Sequence, residues 1–449
     1  MKKQKIAFHT LGCKLNFTET SVISRSFKHD GFEQAGFGNL ADIYVINSCS
    51  VTKNAEKRCK ALIRQVMKRN PQAVVAVVGC YSQINPEELK KIPGVGLVLG
   101  NADKFNLFEH IKSLQQQSPY NAKAPVEIGI ESDFDAATKT GASLEETGSA
   151  LDKFIPSWSE GDRTRSFFKI QDGCDYFCSY CTIPMARGRS RSDTIAETLQ
   201  KAIQIAQSNV KEVVLSGVNI GDFGKQHNER FVDLLSEMVR IDGIERIRIS
   251  SVEPDLLCDD IIHLVADNPK LMPHFHIPLQ AGSDQVLKAM RRRYDTAFFQ
   301  NRIDLIRSLM PDACIAVDLI VGFPTETNKL FEASYKVIRD VDLSYIHVFT
   351  YSDRELTKAK AMKDLVTAAE RHERSKIMHE LSKEKKKQFY QHNQGKTATV
   401  LWENDQHNGY MTGFTENYLK VKTPFDPSKV NQLQTVKLNN IGKDGVYIL

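Results

Sequence analysis

No stretch of this 449-residue sequence is apolar over anything near the ~20 residues a bilayer-spanning helix needs, so no membrane span is expected. The opening residues, MKKQKIAFHTLGC, are basic but carry only a short apolar segment before a cysteine. That is too little for a secretory signal, and a first β-strand is expected there instead. No solenoid repeat is present. Strong charge imbalance is missing too: the formal net charge is +5, compatible with a nucleic-acid partner but not evidence for one. The 26% charged and 41% hydrophobic residues are those of a soluble globular chain, and the length suits two to four domains. A disulfide framework is not expected. The nine cysteines are odd in number and six fall into two ligand-like sets, which points to a reducing compartment, the cytoplasm.

The first set is Cys174, Cys178 and Cys181, a C-x3-C-x2-C run within FKIQDGCDYFCSYCTIPMARGRSR. A zinc knuckle would want a fourth Cys or His at knuckle spacing, and the residues just after Cys181 offer none. Three close thiolates can instead hold an iron–sulfur cluster and leave one iron without a protein ligand. The second set is Cys13, Cys49 and Cys80, which end the segments FHTLGC, VINSC and VVGC. In a parallel sheet the carboxyl ends of the strands share one edge, so three distant cysteines land on one rim. Zinc with His9 or another residue as fourth ligand remains an alternative for this set, as does chance burial. Cys59, Cys258 and Cys314 are expected to be packing residues.

The segments KIAFHTLG, ADIYVIN and AVVAVVG alternate with helical stretches such as AEKRCKALIRQVMKRN, the pattern of a parallel α/β sheet. Residues 116–163 are polar and without periodicity, as in a linker. From Arg165 six more strands alternate with amphipathic helices: RSFFKIQ, EVVLSGVN, RIRISSV, HFHIPLQ, CIAVDLIVGF and YIHVFTY. An open β/α barrel fits better than an open twisted sheet. Small or polar residues follow those strands, where barrel enzymes build their sites. The last sixty or so residues hold short strands punctuated by Gly, Asn, Asp and Pro, which reads as a small antiparallel β-barrel. The expected boundaries are 1–115, 116–163, 164–388 and 389–449.

The C-x3-C-x2-C run, with Tyr180 before its last cysteine, resembles the signature of the radical S-adenosylmethionine (radical SAM) enzymes. HTLGCKLNFTET, VINSCSVTKNAEKRCK and VVGCYSQINPEEL resemble the N-terminal domain of the methylthiotransferases within that group. The resemblance covers nearly the whole chain. It implies two 4Fe–4S clusters, one on each cysteine triad, a partial (β/α)6 barrel, and a C-terminal RNA-binding TRAM domain. S-adenosylmethionine would contact the barrel's strand ends, with Ser216, Asn219, Ser251, Glu253, Gln280, Ser283 and Asp318 as candidates; Ser283 and Asp284 are also candidate helix caps. Arg187, Arg189 and Arg191 would meet RNA phosphates, carboxylates near the cofactor, or only solvent. The family acts on adenosine-37 derivatives of tRNA or on a ribosomal-protein aspartate. Lys14 and Leu15 in GCKLN resemble the branch acting on N6-threonylcarbamoyladenosine rather than the isopentenyladenosine branch. Implied partners are tRNA and an electron donor of unknown identity, with no membrane. One departure is YSDRELTKAKAM, which lacks the Pro-Gly turn many relatives carry after the sixth barrel strand. Outside the tRNA enzymes, the readings to weigh are a ribosomal-protein methylthiotransferase and a non-catalytic RNA-binding iron–sulfur protein.

Overall fold

A computed structural model of the chain describes residues 3–117, 153–161, 164–363 and 365–449. Most of the expected linker, 116–163, lies outside the described residues. Two compact units emerge. The first is Met1–Ser159 with Asp172–Asp175 and Cys181–Arg191, and the second is Glu160–Gln171, Tyr176–Tyr180 and Ser192–Leu449.

The first unit is built on five parallel strands in the order β2-β1-β3-β4-β5: β1 (Lys5–Thr10), β2 (Glu33–Ala35), β3 (Ile43–Ser48), β4 (Val74–Gly79) and β5 (Val95–Leu99). Sequence reading finds β1, β3 and β4. It misses β2, which is three residues long and half polar, and β5, which follows a Pro-Gly turn. All six residues of β3 are buried, because it is central and apolar side chains cover both faces. The flanking helices include α1 (Lys14–His29), α2 (Lys53–Arg69), α3 (Cys80–Ile84), α4 (Pro86–Lys90) and α5 (Leu107–Gln117). A short strand, β6 (Ser157–Trp158), returns to α1, where Arg25 Nη2 donates to Trp158 O at 3.1 Å.

In the second unit β7 (Ser166–Lys169), β8 (Glu212–Ser216) and β9 (Arg246–Ile249) pair in parallel, as do β10 (His274–His276), β11 (Cys314–Val321) and β12 (Tyr345–Thr350). Parallel bridges at Ile247–Leu271 and Ser251–His276 continue the order from β9 to β10. Six parallel strands in chain order, each crossing over through helix, make the open barrel that the alternation predicts. After the helix Ala368–His392 comes a curled sheet in the order β16-β13-β14-β15-β18-β17, formed by β13 (Thr397–His407), β14 (Tyr410–Phe414), β15 (Lys420–Pro424), β16 (Leu433–Lys437), β17 (Asn440–Ile441) and β18 (Tyr447–Ile448). It is a half-barrel rather than the wholly antiparallel barrel the short strands suggest, since β15 and β18 run parallel. Trp402, Met411, Val421 and Tyr447 form its core with Tyr390 and with Cys314 of β11.

Candidate active site

Cys13, Cys49 and Cys80 stand just past the carboxyl ends of β1, β3 and β4, three adjacent strands. Cys49 follows Ser48 directly, Cys80 opens α3, and Cys13 caps α1. Cys49 and Cys80 are buried, and Cys13 is exposed. Glycine makes the rim tight. Gly12 has φ +94°, and a Cβ there would lie 2.7 Å from Cys49 Cβ; Gly79 has φ +96°, and its Cβ would lie 2.4 Å from Asn47 Oδ1. Only glycine accepts both constraints.

Asparagines staple the strand ends together. Asn16 Nδ2 donates to Leu11 O at 2.8 Å and to Ser48 O at 2.9 Å, while Asn47 Nδ2 donates to Asn16 O at 2.9 Å. Asn101, just past β5, points Nδ2 at Cys80 Sγ at 3.6 Å. Burial pushes the Cys49 thiol up to about 12, and the neighbouring Cys80 and Cys13 add to the rise. No three of the chain's thiol sulfurs lie within 4.8 Å of one another among the described residues, as four ligands around a single zinc ion would. A cubane spreads its thiolates over separate irons and wants the wider spacing. His9, the alternative fourth ligand, instead packs against Phe37 with ring centroids 4.8 Å apart. The rim therefore fits a three-thiolate cluster.

Of the C-x3-C-x2-C thiols, Cys174 and Cys181 count with the first unit and Cys178 with the second. The Cys174 amide donates to Gly188 O at 3.1 Å. Gly173, at φ +70°, sits so close to Arg189 O that a Cβ would lie 1.8 Å from it. The Ile183 amide donates to Cys181 Sγ at 3.4 Å. In the second unit Ser179 anchors its stretch through Met290 O and Ala289 O. Cys178 Sγ accepts from Arg292 Nη1 at 3.0 Å, and Arg292 also pairs with Glu253. The three remaining cysteines stay away from these positions: Cys59 and Cys314 are fully buried in cores, and Cys258 precedes the helix Asp259–Asp267.

The seven residues expected to meet the cofactor divide by partner. Ser216 is buried and its hydroxyl turns to Val214 O at 3.3 Å. Asn219 donates to Asp222 Oδ2 at 2.9 Å, and its buried Oδ1 has no hydrogen-bond partner. An orphan acceptor at a strand end is what a small polar ligand would satisfy. Glu253 belongs to the Arg292 pair. Gln280, at φ +68°, exchanges backbone bonds with Asp318 O and Ile320 N, both at 2.8 Å. Ser283 caps the helix Asp284–Ala289 by position but without a side-chain bond, and Asp284 accepts from the Thr296 amide at 2.8 Å instead.

Ser251 and Asp318 meet at His276, a residue sequence reasoning passed over. The His276 Nδ1–Ser251 Oγ distance is 2.7 Å and the Nε2–Asp318 Oδ1 distance is 2.8 Å. A carboxylate can only accept, so Nε2 carries the proton and the Ser251 hydroxyl donates to Nδ1. His347 of β12 packs edge-on against the His276 ring, centroids 5.3 Å apart. Ligand atoms of His276, Asp318 and His347 lie within 4.8 Å of one another. With both His276 nitrogens already engaged, the group is a hydrogen-bonded row before it is a metal site. The strand pattern held the signal at one of the two: His347 is a polar residue amid the apolar Ile346, Val348 and Phe349 of β12.

The family described as Uncharacterized protein family UPF0004 matches residues 5–100, and the Radical SAM superfamily matches residues 168–338. Among curated proteins the chain is similar to the threonylcarbamoyladenosine tRNA methylthiotransferase MtaB of Bacillus subtilis, 35% identical over 97% of this chain and 94% of that one. It is similar to the protein of the same name from Aquifex aeolicus, 36% identical over 93% and 96%. The tRNA-2-methylthio-N(6)-dimethylallyladenosine synthase of Bacillus subtilis is 30% identical over 97% and 83%. Among solved structures, the radical S-adenosylmethionine methyltransferase TsrM from Kitasatospora setae shares the fold, with a TM-score of 0.54 at 13% identity over 80% of this chain and 77% of that one. Thiol rim, open barrel and near-full-length similarity agree: the chain belongs to the radical SAM tRNA methylthiotransferases.

Proposed function

We propose that this enzyme converts N6-threonylcarbamoyladenosine at position 37 of tRNA into its 2-methylthio derivative, replacing the adenine C2–H bond by C2–S–CH3. The observation that carries the choice of substrate is the graded similarity to named relatives. Five proteins called threonylcarbamoyladenosine tRNA methylthiotransferase are 35%, 36%, 34%, 32% and 30% identical to the chain. The dimethylallyladenosine synthases stand at 30%, and they supply the second reading.

In this proposal Cys13, Cys49 and Cys80 hold one 4Fe–4S cluster and Cys174, Cys178 and Cys181 hold the other. Three thiolates and no fourth leave each centre one iron open to an outside ligand. When bound, the clusters and S-adenosylmethionine supply the radical, the sulfur and the methyl group for a C–H bond with no acidic proton to remove. The chain's own residues position and select. Arg292 donates to Cys178 Sγ and fixes where that sulfur points. Asn219 offers its open acceptor, and Ser216, Gln280 and Ser283 complete a polar edge for the cofactor. The row Ser251–His276–Asp318 holds a proton at His276 Nε2 and can orient a nucleobase or ribose edge by hydrogen bonding. On the C-terminal half-barrel, Tyr410 and Lys422 lie side by side, Nζ 5.7 Å from the ring centroid, a stacking and phosphate pair suited to RNA. The electron donor is a separate partner.

The test is to incubate the reconstituted enzyme with S-adenosylmethionine, a reductant and tRNA carrying either modified adenosine, then digest the tRNA and weigh the nucleosides. The proposal expects the methylthio product from threonylcarbamoyladenosine. Conversion of the dimethylallyl substrate alone would hand the enzyme to the other branch.

A further inference from the structure

Arg187 follows the last cysteine of the loop by six residues, yet its side chain belongs to the rim of the N-terminal sheet. The guanidinium is 1% exposed. Its Nη1 donates to Glu19 Oε1 at 3.0 Å and to Asp172 Oδ1 at 2.9 Å. Its Nη2 donates to Glu19 Oε2 at 3.1 Å and to Asn16 Oδ1 at 2.6 Å. That same Asn16 oxygen faces Cys13 Sγ at 4.0 Å. Asn101, which reaches Cys80, also donates from Nδ2 to Ala186 O of the helix Ile183–Arg187 at 2.6 Å. So one buried cation is hydrogen-bonded to the asparagine that faces Cys13, and the helix that carries it is held by the asparagine that reaches Cys80.

The surrounding charges are few and dry. Lys104 pairs with Glu19 at 2.6 Å and Arg191 with Asp172 at 3.4 Å. In these pairs Arg187, Lys104 and Arg191 meet Glu19 and Asp172, each side chain no more than 7% exposed. Burying five charges is costly, and a plain ion pair would serve packing better. A net positive group makes sense beside something negative. Burial alone would lower the Arg187 pKa, but Asp172, Cys80, Glu19 and Cys13 together hold it well above its ordinary value.

We infer that Arg187 is a positioning residue that sets the charge around the cluster on Cys13, Cys49 and Cys80 and so raises that cluster's reduction potential. The inference rests on the ligand assignment proposed above. Reduction takes one electron from the titrant into the cluster, with no bond made or broken, and makes the site one charge more negative. A buried guanidinium favours that more negative state, and a buried carboxylate opposes it. Salt does not screen either, because both are out of water.

The test is an electron-paramagnetic-resonance redox titration of the full chain carrying Cys174→Ala, Cys178→Ala and Cys181→Ala, so that a single cluster is seen. Arg187→Met is expected to shift the midpoint negative, Arg187→Lys to leave it near the parent, and Glu19→Gln to shift it positive. General loosening of the rim would move all variants the same way. Unchanged midpoints, or shifts of one sign for Arg187→Met and Glu19→Gln, overturn the inference. If Arg187→Met fails to hold iron, a Glu19→Gln midpoint that does not rise above that of Arg187→Lys overturns it equally. A parent protein that assembles no cluster overturns the ligand assignment itself, which separates the two failures.

Discussion

Two buried carboxylates, each surrounded by cations, serve different ends in this molecule. Glu19 lies under the thiol rim of the N-terminal sheet with Lys104 and Arg187. Glu212, on β8, lies among Arg165, Arg246 and Arg248. Both are fully buried. Around Glu212 the arginines spend their other donors on backbone: Arg246 reaches Thr399 O at 2.5 Å, and Arg248 reaches Glu416 O at 3.0 Å and Thr415 O at 3.3 Å. Those carbonyls belong to the C-terminal half-barrel, so the network fastens the half-barrel to the β/α barrel. Around Glu19 the arginine's spare donor goes to an asparagine that faces a cysteine. The same chemistry makes a clamp in one place and, in the other, a charged floor for the metal centre proposed on Cys13, Cys49 and Cys80. What each cation touches besides its carboxylate tells them apart.

Four substitutions would break or sharpen that contrast. The largest effect belongs to neither network. Removing Cys174, Cys178 and Cys181 together should abolish S-adenosylmethionine cleavage and leave the other cluster's signal in place; a variant that still forms 5′-deoxyadenosine would contradict the assignment. Next, Glu212→Gln strands buried arginines and should cost about 3–5 kcal/mol of stability, read by chemical denaturation, with the iron content of the folded protein unchanged. The effect should depend on pH with a definite sign. Burial would raise the Glu212 pKa, but Arg248, Arg165 and Arg246 hold it below the ordinary range. Its contribution is therefore complete above the unfolded carboxylate value of roughly 4.3 and fades as pH falls through the lower folded value. The gap in melting temperature between the parent and Glu212→Gln should close across that acid window; a gap that widened there would refute the clamp.

His276→Gln should leave iron and stability near the parent but slow turnover by roughly 10- to 100-fold, the low end for a lost acid–base or orienting group. Steady-state rates on modified tRNA check this, and an unimpaired variant would return the row to a packing role. Gly12→Ala should have the smallest effect, about 1–3 kcal/mol from a left-handed backbone and the contact with Cys49. Its iron loss should be confined to the rim cluster, whereas Glu212→Gln should lose none.

The cysteines were legible in the sequence because the runs that become β1, β3 and β4 each stop at or just before one. The floor beneath them was not. Asn16, Glu19 and Thr20 are polar residues on a helix, which normally means a solvated face, yet α1 buries all three. Only the three-dimensional meeting of Asn16 and Glu19 with Arg187, 168 residues away from Glu19, explains why. The open barrel followed from six strands alternating with helices, because local periodicity encodes it. Strand β5 and the parallel pairing of β15 with β18 depend on distant partners, and periodicity is silent about those. Among the polar residues expected to follow the barrel strands, Asp318 lies within β11, and the bonds of Ser251, Asp318 and Glu253 depend on His276 and Arg292, which carry no spacing signature.

Iron counting tests the central claim most directly. The reconstituted full chain should bind roughly eight irons, as two cubanes require. The variant lacking Cys13, Cys49 and Cys80 should bind about half as many, and so should the variant lacking Cys174, Cys178 and Cys181. Iron that stays at the full count in either triple variant would contradict two three-thiolate centres.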